Sequence, residues 1–125
     1  MSKDEVDFLE MFRFSKKYDT YQAGEVIFDK GSDGGVMYII LEGEIEIQVD
    51  GSTVGKLFEG QILGEMALVE DQPRSATAIA QTDTKIVPIN RETFLLIVKE
   101  EPLFALFVMK DLSHKIRVLN QRLIS

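Results

Sequence analysis

The sequence contains no cysteine, one histidine and three prolines in 125 residues. Without cysteine there is no disulfide, no thiolate metal ligand and no cysteine nucleophile. The lone histidine, His114, cannot build a multi-histidine metal centre. It sits between Ser113 and Lys115 in a helical pattern and reads as a solvated surface residue. No apolar run approaches the ~18 residues that a membrane-spanning helix needs. The opening MSKDEVDF is acidic and lacks the apolar stretch of a secretory signal. These absences fit a cytoplasmic chain with no membrane contact. Positive charge is also in short supply, with 14 Lys and Arg against 21 Asp and Glu, a formal net charge of −7. An acidic chain is a poor partner for nucleic acid or an anionic surface. Any anion it binds must be held by a local feature working against the overall field.

What is present is enough apolar residue, 45% of the chain, for one domain with a real core. Residues 1–125 read as a single domain in three parts: a helical segment over 1–20, a β-rich region over 21–89 and helices over 90–125. In the first, Ser2 and Glu5 have capping-box spacing, and Val6, Phe8, Leu9 and Phe12 supply an apolar face. Between Gly24 and Ile89, short runs rich in β-branched residues (EVIF, VMYIILEG, EIEIQV, STVGKLF, SATAIA, KIVPI) alternate with turn signals. Ile45 to Val49 alternates strictly between apolar and polar, and Asp50-Gly51 is a strong hairpin signal. Strands this short and this closely spaced predict an antiparallel sandwich, jelly roll or barrel. Past Ile89, Asn90 is placed to cap a helix over Arg91–Val98, and Pro102 to open another reaching Ile124. On that last helix Met109, Leu112, Ile116, Leu119 and Leu123 recur at spacings of three and four, the seam of a short coiled coil. The stripe packs either on the β-region or on a second copy of the chain. Phe104 and Phe107 read as core, and Glu42, Glu44 and Glu46 as one solvated face.

The stretch GEMALVEDQPRSATA, residues 64–78, carries the chemistry. A glycine leads into a short helix whose first amides lack partners and attract an anion. Arg74 offers a bidentate phosphate contact, and the small residues around it let backbone approach a ligand. Glu65 accepts hydrogen bonds from hydroxyls. The set suits a phosphate beside a sugar hydroxyl. The plainer alternative is a surface loop with a Glu65–Arg74 salt bridge of little energetic weight.

This stretch closely resembles the phosphate-binding cassette of cyclic nucleotide-binding domains. YQAGEVIFDKGSDGGVMYIILEGEIEI resembles the first half of that family's β-roll, FEGQILGEMAL leads into the cassette, and the last two helices resemble its B and C helices. The resemblance covers nearly the whole chain. It implies a mainly β fold, an eight-stranded antiparallel jelly roll with an N-terminal helix and C-terminal B and C helices. It further implies that Glu65 accepts the ribose 2′-hydroxyl and that Arg74 pairs with the exocyclic phosphate oxygens. The amides of Met66, Ala67 and Ser75 and the Ser75 hydroxyl complete the cradle, beside Gly64 and Ala76. By the same resemblance Val54 and Leu63 would lie under sugar and base, and Leu119 and Asn120 would fall near the lid from the C helix, where Asn120 could hydrogen-bond adenine in its own chain or across a dimer. Ser75, where a threonine accompanies cyclic GMP in the family, favours cyclic AMP, with cyclic GMP as the alternative. No aromatic residue follows Phe107, so a Trp or Tyr lid is absent.

The expected function is therefore a non-enzymatic regulatory module. It senses a cyclic nucleotide and moves its C-terminal helix, as a monomer or as a homodimer through that helix. No helix-turn-helix, kinase motif or channel segment accompanies it, so the effector is not identified and the chain is either free-standing or part of a longer polypeptide. Two other classes compete: a dimerisation domain with a vestigial pocket, which would need neither Glu65 nor Arg74, and a metal-dependent cupin-type enzyme, which one histidine does not support.

Overall fold

A computed structural model describes residues 8–15 and 17–124. The chain runs α1 (Phe8–Arg13), β1 (Asp19–Tyr21), β2 (Val26–Phe28), β3 (Val36–Glu42), β4 (Ile45–Val49), β5 (Ser52–Leu57), β6 (Ile62–Leu63), α2 (Glu65–Glu70), β7 (Thr77–Ala80), β8 (Thr84–Asn90), α3 (Arg91–Glu100) and α4 (Leu103–Ile124). The eight strands form two four-stranded sheets, ordered β1-β8-β3-β6 and β2-β7-β4-β5. Every pairing is antiparallel. The expected eight-stranded antiparallel roll with flanking helices is the fold observed. Its first strand begins at Asp19, inside the segment read as helical from sequence, and the proposed Ser2–Glu5 cap and Val6 lie outside the described residues.

The packing explains the patterns. β3 is apolar along its length because both of its faces are covered. Met37, Ile39 and Leu41 point toward the helices, where they join Phe8, Phe12, Val87, Ile89, Phe104 and Val108. Ile40 points between the sheets, where it meets Ile45, Leu63, Ala78 and Ile86. Phe104 is fully buried and sits at the centre of the ring cluster, 5.3 to 5.9 Å from the rings of Phe8, Phe12, Phe94 and Phe107. Four such ring contacts anchor the start of α4. At the β4–β5 hairpin Asp50 and Gly51 both take positive φ, 51° and 84°, as the turn that matches strand twist requires. The Asn90 side chain accepts a 2.8 Å hydrogen bond from the Thr93 amide and caps α3.

The apolar stripe of α4 resolves against one of its two expectations. Met109, Ile116, Leu119 and Leu123 are 54–77% exposed, and of the five only Leu112 packs partly against the core. Apart from Leu112, the stripe does not pack against the core of its own β-roll. The face of α4 turned inward is Phe104, Val108, Asp111, Lys115, Val118 and Arg122, again at spacings of four and three. This face is apolar where it meets the core. It is charged where it crosses the edge of the roll.

Candidate functional site

The site forms where β6 ends. Gly64 takes a left-handed conformation, φ 81° and ψ 15°, and starts the six-residue α2 with no side-chain cap. Glycine is required twice over: L side chains disfavour that φ, and a Cβ would collide with the Arg74 guanidinium and lie 3.2 Å from the Val36 carbonyl oxygen. The far end of the cassette is clipped to the β2–β3 loop. The Arg74 amide donates to Ser32 O at 2.9 Å, and the Gly31 amide donates to Arg74 O at 2.8 Å. Gly34 packs so closely on α2 that a Cβ there would collide with Ala67 and lie 2.6 Å from Gln72 O.

These contacts turn the Arg74 side chain inward, where it is only 5% exposed. Its Nη2 donates to Val36 O at 2.6 Å and its Nη1 to Gly64 O at 3.2 Å. The guanidinium lies 4.2 Å from the centroid of the Phe28 ring and 5.9 Å from that of Tyr38. Its Nε is buried without a hydrogen-bond partner. Burial holds its pKa below the ordinary arginine value, and Tyr38 acts in the opposite sense. Burial likewise raises the Tyr38 phenol, with Arg74 opposing. A guanidinium remains charged under such a shift. The result is a buried positive charge with backbone and ring partners and, among the described residues, no carboxylate partner.

Glu65, 4% exposed, does not pair with Arg74, so the plain salt-bridge reading fails. Its Oε1 accepts a 2.6 Å hydrogen bond from Lys115 Nζ on α4. The same ammonium donates to Ile62 O at 2.6 Å and lies 2.8 Å from Asp111 Oδ2. Asp111 Oδ1 in turn accepts from the Ile62 amide at 3.3 Å, and Arg122 Nη1 donates to Val54 O at 2.9 Å. The second half of α4 is thus fastened across the roll by charged side chains.

Between roll and helix lies a cavity of about 480 Å³, within the range of roughly 300–1,000 Å³ typical of small-molecule sites. Gly64 to Ala67 and Arg74 to Ala76 line it, together with the apolar side chains of Ile47, Val54, Leu57, Leu63, Val118 and Leu119. It offers a positive charge for an anion, a carboxylate for a hydroxyl, and apolar walls for a flat ring. Of the residues singled out from sequence, Val54, Leu63, Gly64, Glu65, Met66, Ala67, Arg74, Ser75, Ala76 and Leu119 all line the cavity. Asn120 does not. It is exposed and lies two residues from both Val118 and Arg122, roughly 200° around the helix from the face that meets the cavity. In this arrangement Asn120 is not part of its own chain's cavity wall. Sequence reasoning missed Lys115 and Arg122. The signal available was their heptad-like continuation of Phe104 and Val108, hidden because the residues change from apolar to charged. His114 is exposed as expected, on the cavity rim. Among the described residues no three His, Cys, Asp or Glu side chains are grouped to hold a metal, and no helix is long and apolar enough to cross a membrane.

Comparison with known proteins adds an independent line. Residues 18–101 match the profile of the family described as cyclic nucleotide-binding domain. A cAMP-dependent protein kinase regulatory subunit from Debaryomyces hansenii is 32% identical over 102 residues, covering 80% of this chain and 23% of that protein. The chain thus spans about a quarter of that relative. The crystal structure of the Thermus thermophilus catabolite activator protein superposes with a TM-score of 0.78 at 27% identity, over 98% of this chain and 59% of that one. A chain from a bacterial cyclic-GMP-dependent signalling pathway superposes with a TM-score of 0.72, also at 27% identity, over 96% of this chain and 95% of that one.

Proposed function

This chain belongs to the cyclic nucleotide-binding domain family, and from that premise we propose that it is a cyclic AMP sensor whose ligand sets the position of α4. The observation that carries the reading is Arg74, buried and without a counter-ion among the described residues, at one end of a cavity that also holds the buried carboxylate of Glu65. An uncompensated buried charge is costly, and a cyclic phosphate carrying one negative charge would offset that cost. In this reading Arg74 takes the exocyclic oxygens. The amides of Met66, Ala67 and Ser75 and the Ser75 hydroxyl complete the phosphate contacts. Glu65 accepts the ribose hydroxyl. The purine lies against Val54, Leu63 and Leu119. The chain binds and signals and catalyses no reaction.

Cyclic AMP is supported by the regulatory-subunit relative and by serine at position 75. Cyclic GMP is the second reading, favoured by the full-length likeness to the chain of the cyclic-GMP-dependent pathway. The exposed stripe on α4 is read as a seam for a second copy, since its 3.5-residue period is that of a two-helix contact. Titration calorimetry with cyclic AMP and cyclic GMP in parallel tests the assignment. Preference for cyclic AMP supports it, preference for cyclic GMP selects the second reading, and no heat from either rejects both.

A further inference from the structure

The proposed ribose acceptor and the C-terminal helix share one cation. Lys115 Nζ spends its hydrogen bonds on Glu65 Oε1 at 2.6 Å and Ile62 O at 2.6 Å, with Asp111 Oδ2 at 2.8 Å. The side chains of Glu65 and Asp111 are 5% and 11% exposed. Two buried carboxylates converge on one ammonium, beside a cavity argued above to take an anion. Counting Glu65, Asp111, Lys115 and Arg74 gives no net charge. The lysine also restrains the Glu65 side chain from the α4 side, and an ionised carboxylate has about four acceptor positions. A hydroxyl can therefore join the ammonium on the same group without displacing it.

We infer that Lys115 is a positioning residue: it holds Glu65 in place for the ribose hydroxyl, so that nucleotide binding and docking of α4 reinforce each other. The inference rests on the cyclic-nucleotide reading and adds to it the residue that links ligand to helix and the sign of the link. Reinforcement runs both ways by thermodynamic necessity. A ligand that fixes Glu65 strengthens the hold of Lys115, and a docked α4 strengthens the hold on the ligand. The effect must be specific to ligands that carry a 2′-hydroxyl, because Lys115 acts through Glu65 rather than on phosphate.

The test compares Lys115→Met and Lys115→Arg with the wild-type chain, using cyclic AMP and 2′-deoxy cyclic AMP in calorimetry and amide hydrogen exchange across residues 111–122. Loss of a charge-assisted hydrogen bond to Glu65 should weaken cyclic AMP binding by about tenfold or more in Lys115→Met. The 2′-deoxy ligand should lose far less, and Lys115→Arg should retain most of the affinity. Cyclic AMP should slow exchange in α4 of the wild type and not of Lys115→Met. Should the lone carboxylates prevent that variant from folding, Lys115→Met combined with Asp111→Asn removes the like-charge pair and should show the same selective loss. Equal losses for both ligands would mean that Lys115 merely fastens the helix, and unchanged affinity would mean that it plays no part; either overturns the inference while the cyclic-nucleotide reading stands. A wild type that binds neither ligand overturns both.

Discussion

Replacing Arg74 by alanine separates two roles that the structure places on one side chain. The ligand role is the larger. Loss of a desolvated, charge-assisted phosphate contact is worth roughly 2–4 kcal/mol, which corresponds to a Kd increase of about 30- to 700-fold. The stability role is a near balance. Alanine leaves the Val36 and Gly64 carbonyl oxygens without the guanidinium, at a cost of about 1–3 kcal/mol each. It also removes a buried cation that has no carboxylate partner, relieving a desolvation penalty of several kcal/mol. The ligand-free melting temperature should therefore stay within a few degrees of wild type. Added cyclic AMP magnifies the contrast. At a concentration of 100 times the wild-type Kd, ligand stabilises the wild type by about 2.7 kcal/mol, whereas a variant with a 100-fold weaker Kd gains only about 0.4 kcal/mol. For a domain of this size those values correspond to shifts of about 10 °C and 1–2 °C. Thermal scans with and without cyclic AMP, checked by calorimetry, read both quantities. An undiminished ligand shift in the variant would remove Arg74 from the phosphate. A ligand-free melting temperature lowered by about 15 °C or more would show the buried guanidinium to be a structural asset, contrary to the charge argument.

Other substitutions probe the remaining parts of the site. Glu65→Gln should cost cyclic AMP roughly 1–3 kcal/mol and 2′-deoxy cyclic AMP much less; parallel losses in calorimetry would take Glu65 off the ribose. Gly64→Ala should destabilise the chain by about 1–3 kcal/mol through its positive φ, and also push Arg74 from its carbonyl partners, so both the denaturation midpoint and cyclic AMP affinity should fall. Ile116→Glu places like charges across the proposed seam and should yield monomers in light scattering at an unchanged melting temperature. A wild type that is monomeric with and without ligand refutes the seam and leaves Glu65 and Arg74 unaffected, because both belong to one chain.

The features legible in the sequence are those set by local chemistry. The Asp50-Gly51 turn, the Asn90 cap and the alternation of β4 each follow from residues within a few positions of one another. The cassette was legible because glycine, carboxylate and arginine occur there in a fixed order, and ten of the eleven residues to which the family resemblance pointed line one cavity. β1 and β6, three and two residues long, were not, since so short a strand exists only through its neighbours and carries no period of its own. What was missed lay on α4. Hydropathy marks Met109, Leu112, Ile116, Leu119 and Leu123 as a face to be covered, on the roll or by a second copy, and gives no sign that the face in contact with the roll carries Asp111, Lys115 and Arg122. Their partners are polar groups, namely the Glu65 carboxylate and the backbone of Ile62 and Val54. Where the surface met by a helix is itself polar, hydropathy does not mark the face that meets it.

Phe104 in its ring cluster and Lys115 on Glu65 together place a condition on length rather than composition. Eleven residues separate them, three helical turns to within about 20°. Inserting one residue would rotate everything downstream by about 100°, swinging Lys115 away from the cassette and bringing His114, Arg117 and Gln121 to the inward positions. Inserting seven would nearly restore the angle but displace Lys115 by about 10 Å along the axis, beyond reach of Glu65. Divergence in this helix can therefore proceed by substitution at its outward positions, whereas insertions and deletions between Phe104 and Lys115 would separate the ligand site from the helix that reports on it.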